Sequence, residues 1–217
     1  MKVGTDGVLL GAWARVRPTD RRILDIGTAT GLIALMLAQR TADARITGVD
    51  ILDVAEARDN AAVSPWGDRL TFVQTPVQEF APDEPFDLIL SNPPFFVDSL
   101  TCPDDGRTTV RHAVTLPYGE LCAAVVRLLA PEGRFALVLP VSEAERWLTV
   151  CRGALWLTRR TEVRTTPKRA PKRVLLEFAG EPQAAGPLCD ELVIGTGEHE
   201  QYTPEYRALT REFYLKF

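Results

Sequence analysis

The feature that most constrains the fold is a regular alternation between short apolar runs and longer stretches with helical periodicity. The longer stretches predict helices over 31–40, 53–62, 116–130 and 142–153, the last beginning with Ser142 as its N-cap. The apolar runs predict strands over 22–26, 44–50, 69–74, 86–91, 133–140, 154–163 and 172–178. Alternating strands and helices imply right-handed crossovers and a mostly parallel sheet.

The last two predicted strands break this alternation because no helix separates them. They are expected to form an antiparallel hairpin at one edge of the sheet. The fold class that follows is α/β, a mostly parallel seven-stranded sheet with helices on both faces. At 217 residues and with no internal repeat, the chain is expected to form one domain over 1–217.

Composition places the chain among ordinary globular proteins. Hydrophobic residues make up 46% of the sequence and charged residues 25%, and no apolar run approaches the roughly 18 residues of a membrane-spanning helix. The start, MKVGTDG, lacks the basic and apolar regions of a signal peptide. The sequence therefore predicts a cytoplasmic protein that does not contact a membrane.

The cysteines argue against metal sites and disulfides, and the net charge argues against indiscriminate binding of nucleic acid. The four cysteines lie far apart without a CxxC pair, so we expect neither a metal site nor disulfides, but reduced and mostly buried thiols. A net charge of −4 argues against a protein that coats nucleic acid indiscriminately. One stretch departs from that balance, because residues 159–173 contain seven basic residues and one acid.

The segment ILDIGTATG, which joins the first strand to the first predicted helix, predicts a cofactor site. Gly27 and Gly31 permit a tight turn and let a ligand approach the backbone, while the following helix offers free N–H groups. Asp50 ends the second strand 19 positions after Gly31, where a carboxylate can accept both hydroxyls of a ribose. Together these residues indicate a cofactor that contains adenosine.

The acid at the start of the turn favours one such cofactor over another. NAD enzymes favour GxGxxG for a pyrophosphate, whereas the string here is DIGTATG, and the carboxylate of Asp25 would repel phosphate. An acid at this place suits a ligand with a positive amino group, such as the methionine part of S-adenosylmethionine. The alternative is structural: Asp25 caps the turn, and Gly27 and Gly31 are packing glycines.

The segment SNPPFF at 91–96 predicts the reactive site. Pro93 and Pro94 each restrict the residue before them to extended backbone and remove an N–H donor. The side-chain oxygen of Asn92 and the carbonyl of Pro93 are then free acceptors. Two acceptors can hold one amino group and favour the pyramidal form, whose lone pair points toward an electrophilic methyl. We expect catalysis at 92–95 by alignment and electrostatics, without a general base at the outset.

The phenylalanines after the prolines offer a stacking face for a base lifted out of an RNA loop. Phe95 is the expected platform and Phe96 the second choice, and such stacking contributes roughly 1–3 kcal/mol per base. The alternative for this segment is a strand terminator, in which Asn92 is a turn residue and the phenylalanines belong to the core.

With these residues in place, the chain resembles the class I S-adenosylmethionine-dependent methyltransferases of the amino-group branch, which carry (N/D/S)PP(F/Y). Other segments narrow the resemblance to the bacterial tRNA1(Val) adenosine-37 N6-methyltransferase family. Those segments are MKVGTDGVLLGAWA, SNPPFFVDSL, RH at 111–112, KRVLLEF and QYTPEYRALTREFYLKF. The similarity runs over nearly the entire chain.

This resemblance implies a Rossmann-like sheet of order 3-2-1-4-5-7-6, S-adenosylmethionine as methyl donor and an anticodon-loop adenosine as acceptor. It implies that the glycine turn approaches the methionine part and that Asp50 binds the ribose. Lys2, Thr5 and Asp6 would line the donor end of the pocket. The alternative for Thr5 or Asp6 is a helix cap.

The chain departs from the family pattern at two places. Relatives usually read GTGTG where this chain has Ala29, and the added methyl group is tolerable only if the φ of that residue is negative. The acid that often contacts the adenine amine of the cofactor is replaced by Thr75 or Pro76. Gln78 or the N–H of Val77 is the expected substitute.

Two groups of basic residues are expected to contact RNA. The stretch 159–173 is predicted to bind phosphates, although a solvated charged face is the alternative. The residues of this stretch expected near the base pocket are Arg159, Arg164, Lys168, Arg169, Lys172 and Arg173, and the expected phosphate contacts are the last four. The second group follows the NPPFF loop, would contact nucleotides beside the target and consists of Arg107, Arg111 and His112. The alternative for this group is structural: Arg111 would pair with a nearby acid such as Asp104, and His112 would cap a helix.

Two rival functions remain open at this stage. A protein-glutamine N5-methyltransferase also carries NPP followed by an aromatic residue, because a side-chain amide presents a similar amino group. The basic stretch 159–173 counts against it. A non-catalytic RNA-binding relic is the other rival, motivated by Ala29 and Pro76. The expected partners under the favoured hypothesis are a tRNA anticodon loop and no metal, with the protein a monomer or weak dimer.

Overall fold

The computed structural model describes residues 4–94, 116–199 and 201–215. Its strands are β1 (Arg22–Ile26), β2 (Arg45–Asp50), β3 (Leu70–Gln74), β4 (Phe86–Ser91), β5 (Leu129–Pro140), β6 (Trp156–Arg164), β7 (Arg173–Ala179) and β8 (Leu188–Val193). Its helices are α1 (Thr5–Trp13), α2 (Leu32–Arg40), α3 (Ala55–Ala62), α4 (Tyr118–Leu128), α5 (Val141–Val150) and α6 (Pro204–Thr210), and a 3₁₀ turn spans Gly67–Arg69.

All eight strands belong to one sheet of order β3-β2-β1-β4-β5-β7-β6-β8. The first five strands in the chain run parallel, β7 is antiparallel to both of its neighbours, and β8 is parallel to β6. The predicted α/β class and the order of seven strands are confirmed. The prediction was wrong in placing the β6–β7 hairpin at the edge, because β8 pairs with β6 and forms the edge.

Helices cover both faces of the sheet because successive residues of a buried strand point to opposite sides. In β4, Leu88 and Leu90 join a core with α1, α2 and α3, whereas Ile89 joins a second core with α4 and α5. The same division holds in β5, where Val138 faces the first core and Leu137 the second. Both faces are apolar, which is typical of parallel strands between two helix layers.

Helix starts differ from the predicted ones by a few residues. The helix predicted to begin with Ser142 as its N-cap begins at Val141, with Pro140 at the cap position and no side-chain cap. That expectation was wrong because the proline ends β5 and turns the chain directly into the helix. In α6, by contrast, the hydroxyl of Thr203 caps the helix and accepts a hydrogen bond from the N–H of Tyr206 at 3.2 Å.

Three features of the described residues concern the cysteines, the helix lengths and the metal-ligating side chains. Cys122 and Cys151 are buried, Cys189 is exposed, and all three are unpaired thiols; Cys102 lies outside the described residues. Over the described ranges, no helix has the length and apolar character needed to cross a bilayer. The same ranges contain no group of three or more metal-ligating side chains.

Candidate active site at the carboxyl edge of the sheet

A cavity of about 270 Å³ opens where the strand order reverses, outside the carboxyl ends of β1, β2 and β4. Ligands bind at such a reversal in open α/β sheets, since the helices that follow neighbouring strands there leave in opposite directions. The cavity is lined by Ile26, Gly27, Ala29, Val49, Asp50, Ile51, Leu52, Thr75, Pro76, Val77, Gln78, Ser91, Asn92, Pro93, Pro94 and Leu116. The predicted glycine turn, ribose acid and asparagine are therefore brought to one place.

The turn after β1 alternates left-handed residues with ordinary ones. Gly27, Ala29 and Gly31 have φ values of +74°, +49° and +77°. The N–H groups of Gly27 and Thr28 donate to the carbonyl of Val49 at 2.9 and 3.1 Å, which fastens the turn to β2. The methyl group of Ala29 was expected to be tolerated only at a negative φ, and the observed φ is positive. This alanine is therefore strained where a glycine would not be.

The two glycines of the turn have different reasons to be glycine. A Cβ at Gly31 would lie 2.9 Å from the ring of Phe72 and 3.2 Å from Ala57, so this residue lets α2 and α3 approach the sheet. A Cβ at Gly27 would meet no described atom within 4 Å. Because Gly27 also lines the cavity, its open face leaves room for a ligand at the backbone.

The carboxylate of Asp50 is held in a fixed orientation at the rim of the cavity. Its Oδ2 accepts the N–H of Ala29 and its Oδ1 accepts the N–H of Leu52, both at 2.9 Å. A carboxylate oxygen can accept more than one hydrogen bond, so both oxygens keep capacity for the hydroxyls of a ribose. The two backbone donors reduce the rotation of the side chain and so orient it before a ligand arrives.

Asp25 lies beneath the turn and does not line the cavity. Its side chain is fully buried, and Oδ2 accepts the hydroxyl of Thr28 at 2.7 Å. Burial raises the pKa of this carboxyl from 3.8 to about 7, against the opposing effect of the Thr28 hydrogen bond. Its Oδ1 has no partner among the described residues. The predicted contact with a cofactor amino group stays a prediction.

Asn92 presents, at the end of β4, a buried acceptor that lacks a partner in the described part of the chain. Its Oδ1 is inaccessible to solvent and accepts no hydrogen bond from the residues described. Leaving such an oxygen unsatisfied costs about 1–3 kcal/mol. The preceding Ser91 is fixed because its hydroxyl donates to the carbonyl of Ile26 at 3.0 Å, and Pro93 is buried after it. Among the described residues this oxygen is therefore available to a donor from a bound molecule.

The loop after β3 forms the wall opposite Asn92. Val77 and Gln78 both line the cavity, as do Thr75 and Pro76. The guanidinium of Arg127 in α4 donates to the carbonyls of Val77 and Phe80 at 2.9 and 2.7 Å, and so fixes the loop. The side-chain amide of Gln78 donates to Glu120 of the same helix, which leaves the carbonyl oxygen of that amide as the acceptor it can offer.

Sequence reasoning missed the apolar walls of the cavity and the arginine that fixes the loop. Ile51 and Leu52 follow Asp50 and are 46% and 54% exposed, so their side chains have apolar surface available to a flat ring. Their position directly after the ribose acid was the available signal. Arg127 gave none, because nothing in its local sequence distinguishes it from a solvated helix residue.

Several residues predicted for the site lie elsewhere or outside the description. Thr5 and Asp6 do not line this cavity; they line a second one, and Asp6 pairs with Arg173 at 2.8 Å. The residues outside the described ranges are Lys2, Phe95, Phe96, Arg107, Arg111 and His112. Their roles stay predictions.

The basic stretch divides into a paired half and an exposed half. On β6, the guanidinium groups of Arg159 and Arg164 pair with Asp190 and Glu191 of β8 at 3.3 and 2.6 Å, which makes them part of the strand contact. Arg160 pairs with Glu145 and Glu162. The exposed half lies in the β6–β7 loop and consists of Lys168, Arg169 and Lys172. For these three, the described ranges contain no ion pair.

Comparisons with known proteins agree with this geometry. Residues 7–140 match the model of the methyltransferase small domain family. The chain is 47% identical to the tRNA1(Val) (adenine(37)-N6)-methyltransferase of Bacteroides thetaiotaomicron, over 99% of this chain and 91% of the relative. It is 40% identical to the protein of the same name from Klebsiella pneumoniae, over 99% of this chain and 89% of the relative.

Solved structures with a similar fold are methyltransferases of low sequence identity. A predicted O-methyltransferase from Agrobacterium tumefaciens gives a TM-score of 0.72 at 18% identity, over 95% of this chain and 96% of that one. The glycopeptide N-methyltransferase MtfA, solved with S-adenosyl-L-methionine, gives 0.60 at 16% identity, over 81% of this chain and 95% of that one. At these identities the likeness concerns the fold.

Proposed function

Because this chain belongs to the tRNA1(Val) (adenine(37)-N6)-methyltransferase family, within the methyltransferase small domain family, we propose that it methylates N6 of adenine 37 in the anticodon loop of tRNA1(Val). The methyl donor is S-adenosylmethionine. The observation that carries the proposal is the buried Oδ1 of Asn92, which has no partner among the described residues and lies in the same cavity as the oriented carboxylate of Asp50. That cavity offers one acceptor for an amino group and another for a ribose.

The residues of the cavity fit the donor at each of its parts. The carboxylate of Asp50 would accept the ribose hydroxyls, Ile51 and Leu52 would offer apolar surface to the adenine ring, and the open side of Gly27 would accommodate the methionine chain. When bound, S-adenosylmethionine supplies an electrophilic methyl group and leaves as S-adenosylhomocysteine. Asp25, below the turn, would contribute negative charge toward the amino group of the donor once the carboxyl is ionised.

The chain's own contribution to the reaction is the alignment of the target amine. Oδ1 of Asn92 accepts one N6–H of the adenine, and the carbonyl of Pro93 is the proposed acceptor of the other. Drawing both hydrogens toward one side turns the nitrogen lone pair to the other side. The N6 nitrogen loses its proton only after methylation has made it cationic. No general base therefore has to remove a proton before the nitrogen attacks.

The proposal extends to the organisation of the protein and its partner. We take residues 1–217 to work as one methyltransferase domain, a proposal supported by the single sheet that contains every described strand. Phe95 is the proposed stacking platform, with Phe96 as the second choice. The proposed phosphate contacts are Lys168, Arg169, Lys172 and Arg173. A tRNA substrate implies work in the cytoplasm.

The deciding experiment is methyl transfer from isotopically labelled S-adenosylmethionine to unfractionated bacterial tRNA, followed by analysis of the nucleosides. We expect the label in N6-methyladenosine. A matched control uses transcripts of tRNA1(Val) with adenosine or guanosine at position 37, of which only the first should be methylated. Label in protein alone would favour the glutamine methyltransferase instead, and the absence of any saturable heat on titration with S-adenosylmethionine would indicate a relic.

A further inference from the structure

A second cavity, of about 380 Å³, lies on the same edge of the sheet as the first. It is enclosed by the start of α1, the loop ends of β6 and β7, the segment after β8 and the terminal helix. We call it the tyrosine cavity and define it by Tyr202, Tyr206, Tyr214, Lys172, Arg173 and Thr165, all of which line it. Neither the proposed transfer of the methyl group nor the binding of its donor uses this space.

The three tyrosines are buried to different degrees, and only Tyr206 belongs to α6. Tyr206 is 3% exposed and anchors α6 against the sheet, but Tyr202 and Tyr214 are 40% and 36% exposed. The ring of Tyr202 lies 5.4 Å from that of Tyr206, and the hydroxyl of Tyr206 is 3.2 Å from that of Tyr214. Both outer tyrosines thus contact Tyr206, line the cavity and retain accessible surface.

The charges around the tyrosine cavity favour an anionic ligand. Its one lining acid, Asp6, is paired with the guanidinium of Arg173 at 2.8 Å. Lys172 lines the cavity and is exposed, and Lys168 and Arg169 are exposed in the same β6–β7 loop. An aromatic surface beside several cations is the combination that binds single-stranded nucleic acid, because bases stack while phosphates pair with the cations.

The position of this cavity relative to Asn92 suits a neighbouring nucleotide. Asn92 follows β4, and Arg173 begins β7, two strands away in the sheet and at the same edge. With strands about 4.8 Å apart, the separation across the sheet is about 10 Å to Arg173 and about 19 Å to the end of β8, beside which Tyr202 forms a bridge with Gly195. An RNA strand advances about 3.4 Å per nucleotide when stacked and further when its bases are splayed, so a few nucleotides of a loop span these distances.

We propose that the tyrosine cavity binds the base of one nucleotide near the target adenosine, stacked on Tyr202 and Tyr214 with its phosphate at Lys172. This inference rests on the proposed function, since it takes the RNA strand to be the one whose adenine reaches Asn92. The cavity then acts as a second anchor that fixes the direction in which the loop crosses the edge of the sheet.

A double-mutant cycle between protein and RNA tests the inference. The RNAs are full-length tRNA1(Val) and a series in which one anticodon-loop nucleotide other than the target is abasic. For wild-type protein we expect one abasic position to weaken binding by about 5- to 150-fold, the range that stacking of one base gives. Tyr202→Ala should weaken the binding of intact tRNA by a similar factor. The affinity of this variant should not fall further when the RNA is abasic at that position. Tyr202→Phe, which keeps the ring, should bind as wild type does.

Equal weakening of every RNA by Tyr202→Ala, or no weakening at all, would overturn the inference. If Tyr202→Ala does not fold, Tyr214→Ala takes its place in the same cycle, and thermal unfolding of each variant identifies this case. Methylation of intact tRNA by the wild type is measured first. Methylation without coupling in the cycle rejects only the tyrosine cavity, whereas no methylation rejects the proposed function and this inference with it.

Discussion

Replacing Ala29 by glycine is expected to stabilise the protein. The alanine has a φ of +49°, a region that costs an L-residue about 1–2 kcal/mol and costs glycine almost nothing. Glycine also makes the unfolded chain more flexible, which offsets about 0.4–1 kcal/mol of that gain. The free energy of unfolding should therefore rise by roughly 0.5–1 kcal/mol. The hydrogen bond from the N–H of residue 29 to Asp50 is kept, because it uses the backbone.

Urea unfolding of Ala29→Gly beside Ala123→Gly measures the effect. Ala123 is exposed within α4, where glycine should lower the free energy of unfolding by about 0.5–1 kcal/mol. The same substitution is thus expected to have opposite signs at the two positions, with the slope m unchanged. If Ala29→Gly destabilises as Ala123→Gly does, the strain assigned to this turn does not exist.

Three further outcomes are expected. Asn92→Ala should lower kcat by about 10²–10³-fold and leave the Kd for S-adenosylmethionine within a few-fold in calorimetry; near-normal turnover would refute the role of the amide. Between pH 3.8 and about 7 the folded state holds the Asp25 proton more tightly than the unfolded chain does, so this group's contribution to the free energy of unfolding falls as pH rises through that range. Asp25→Asn should remove that fall in urea unfolding at a series of pH values, and an unchanged pH dependence would contradict the assignment. Lys168→Gln with Lys172→Gln should reduce the slope of log Kd for tRNA against log salt by about 1.4, whereas Arg152→Gln, exposed after α5, should leave it unchanged.

The order of the central strands could be predicted because their apolar runs are continuous and separated by helical stretches. β8 could not be predicted for the opposite reason. Four of its six residues are exposed, and Cys189, Asp190 and Glu191 interrupt any apolar pattern. It is a strand because β6 offers it hydrogen bonds and because Arg159 and Arg164 pair with its acids. Such contacts join residues far apart in sequence, so no local pattern shows them.

The features of the site also differ in whether local sequence could show them. The glycine turn, Asp50 and Asn92 could be found because each follows a recognisable strand, and parallel strands bring their carboxyl ends together. The left-handed backbone at Ala29 could not, since alanine ordinarily avoids it. Nor could the pairing of Asp6 with Arg173, two residues that the sequence assigned to different ligands. Distant contact, rather than residue type, decides that they neutralise one another.

The reversed direction of β7 has a consequence for how this architecture can diversify. Had a helix connected β6 to a parallel β7, the loop that carries Lys168 and Lys172 would have been replaced by a crossover, and its cations would not project from the rim that holds Asn92. One inverted strand instead provides a short, exposed hairpin whose length can change without disturbing either helix layer. Insertions there would alter which folded RNAs can reach the amide of Asn92, while the donor pocket, whose nearest strand is two places away in the sheet, stays as it is.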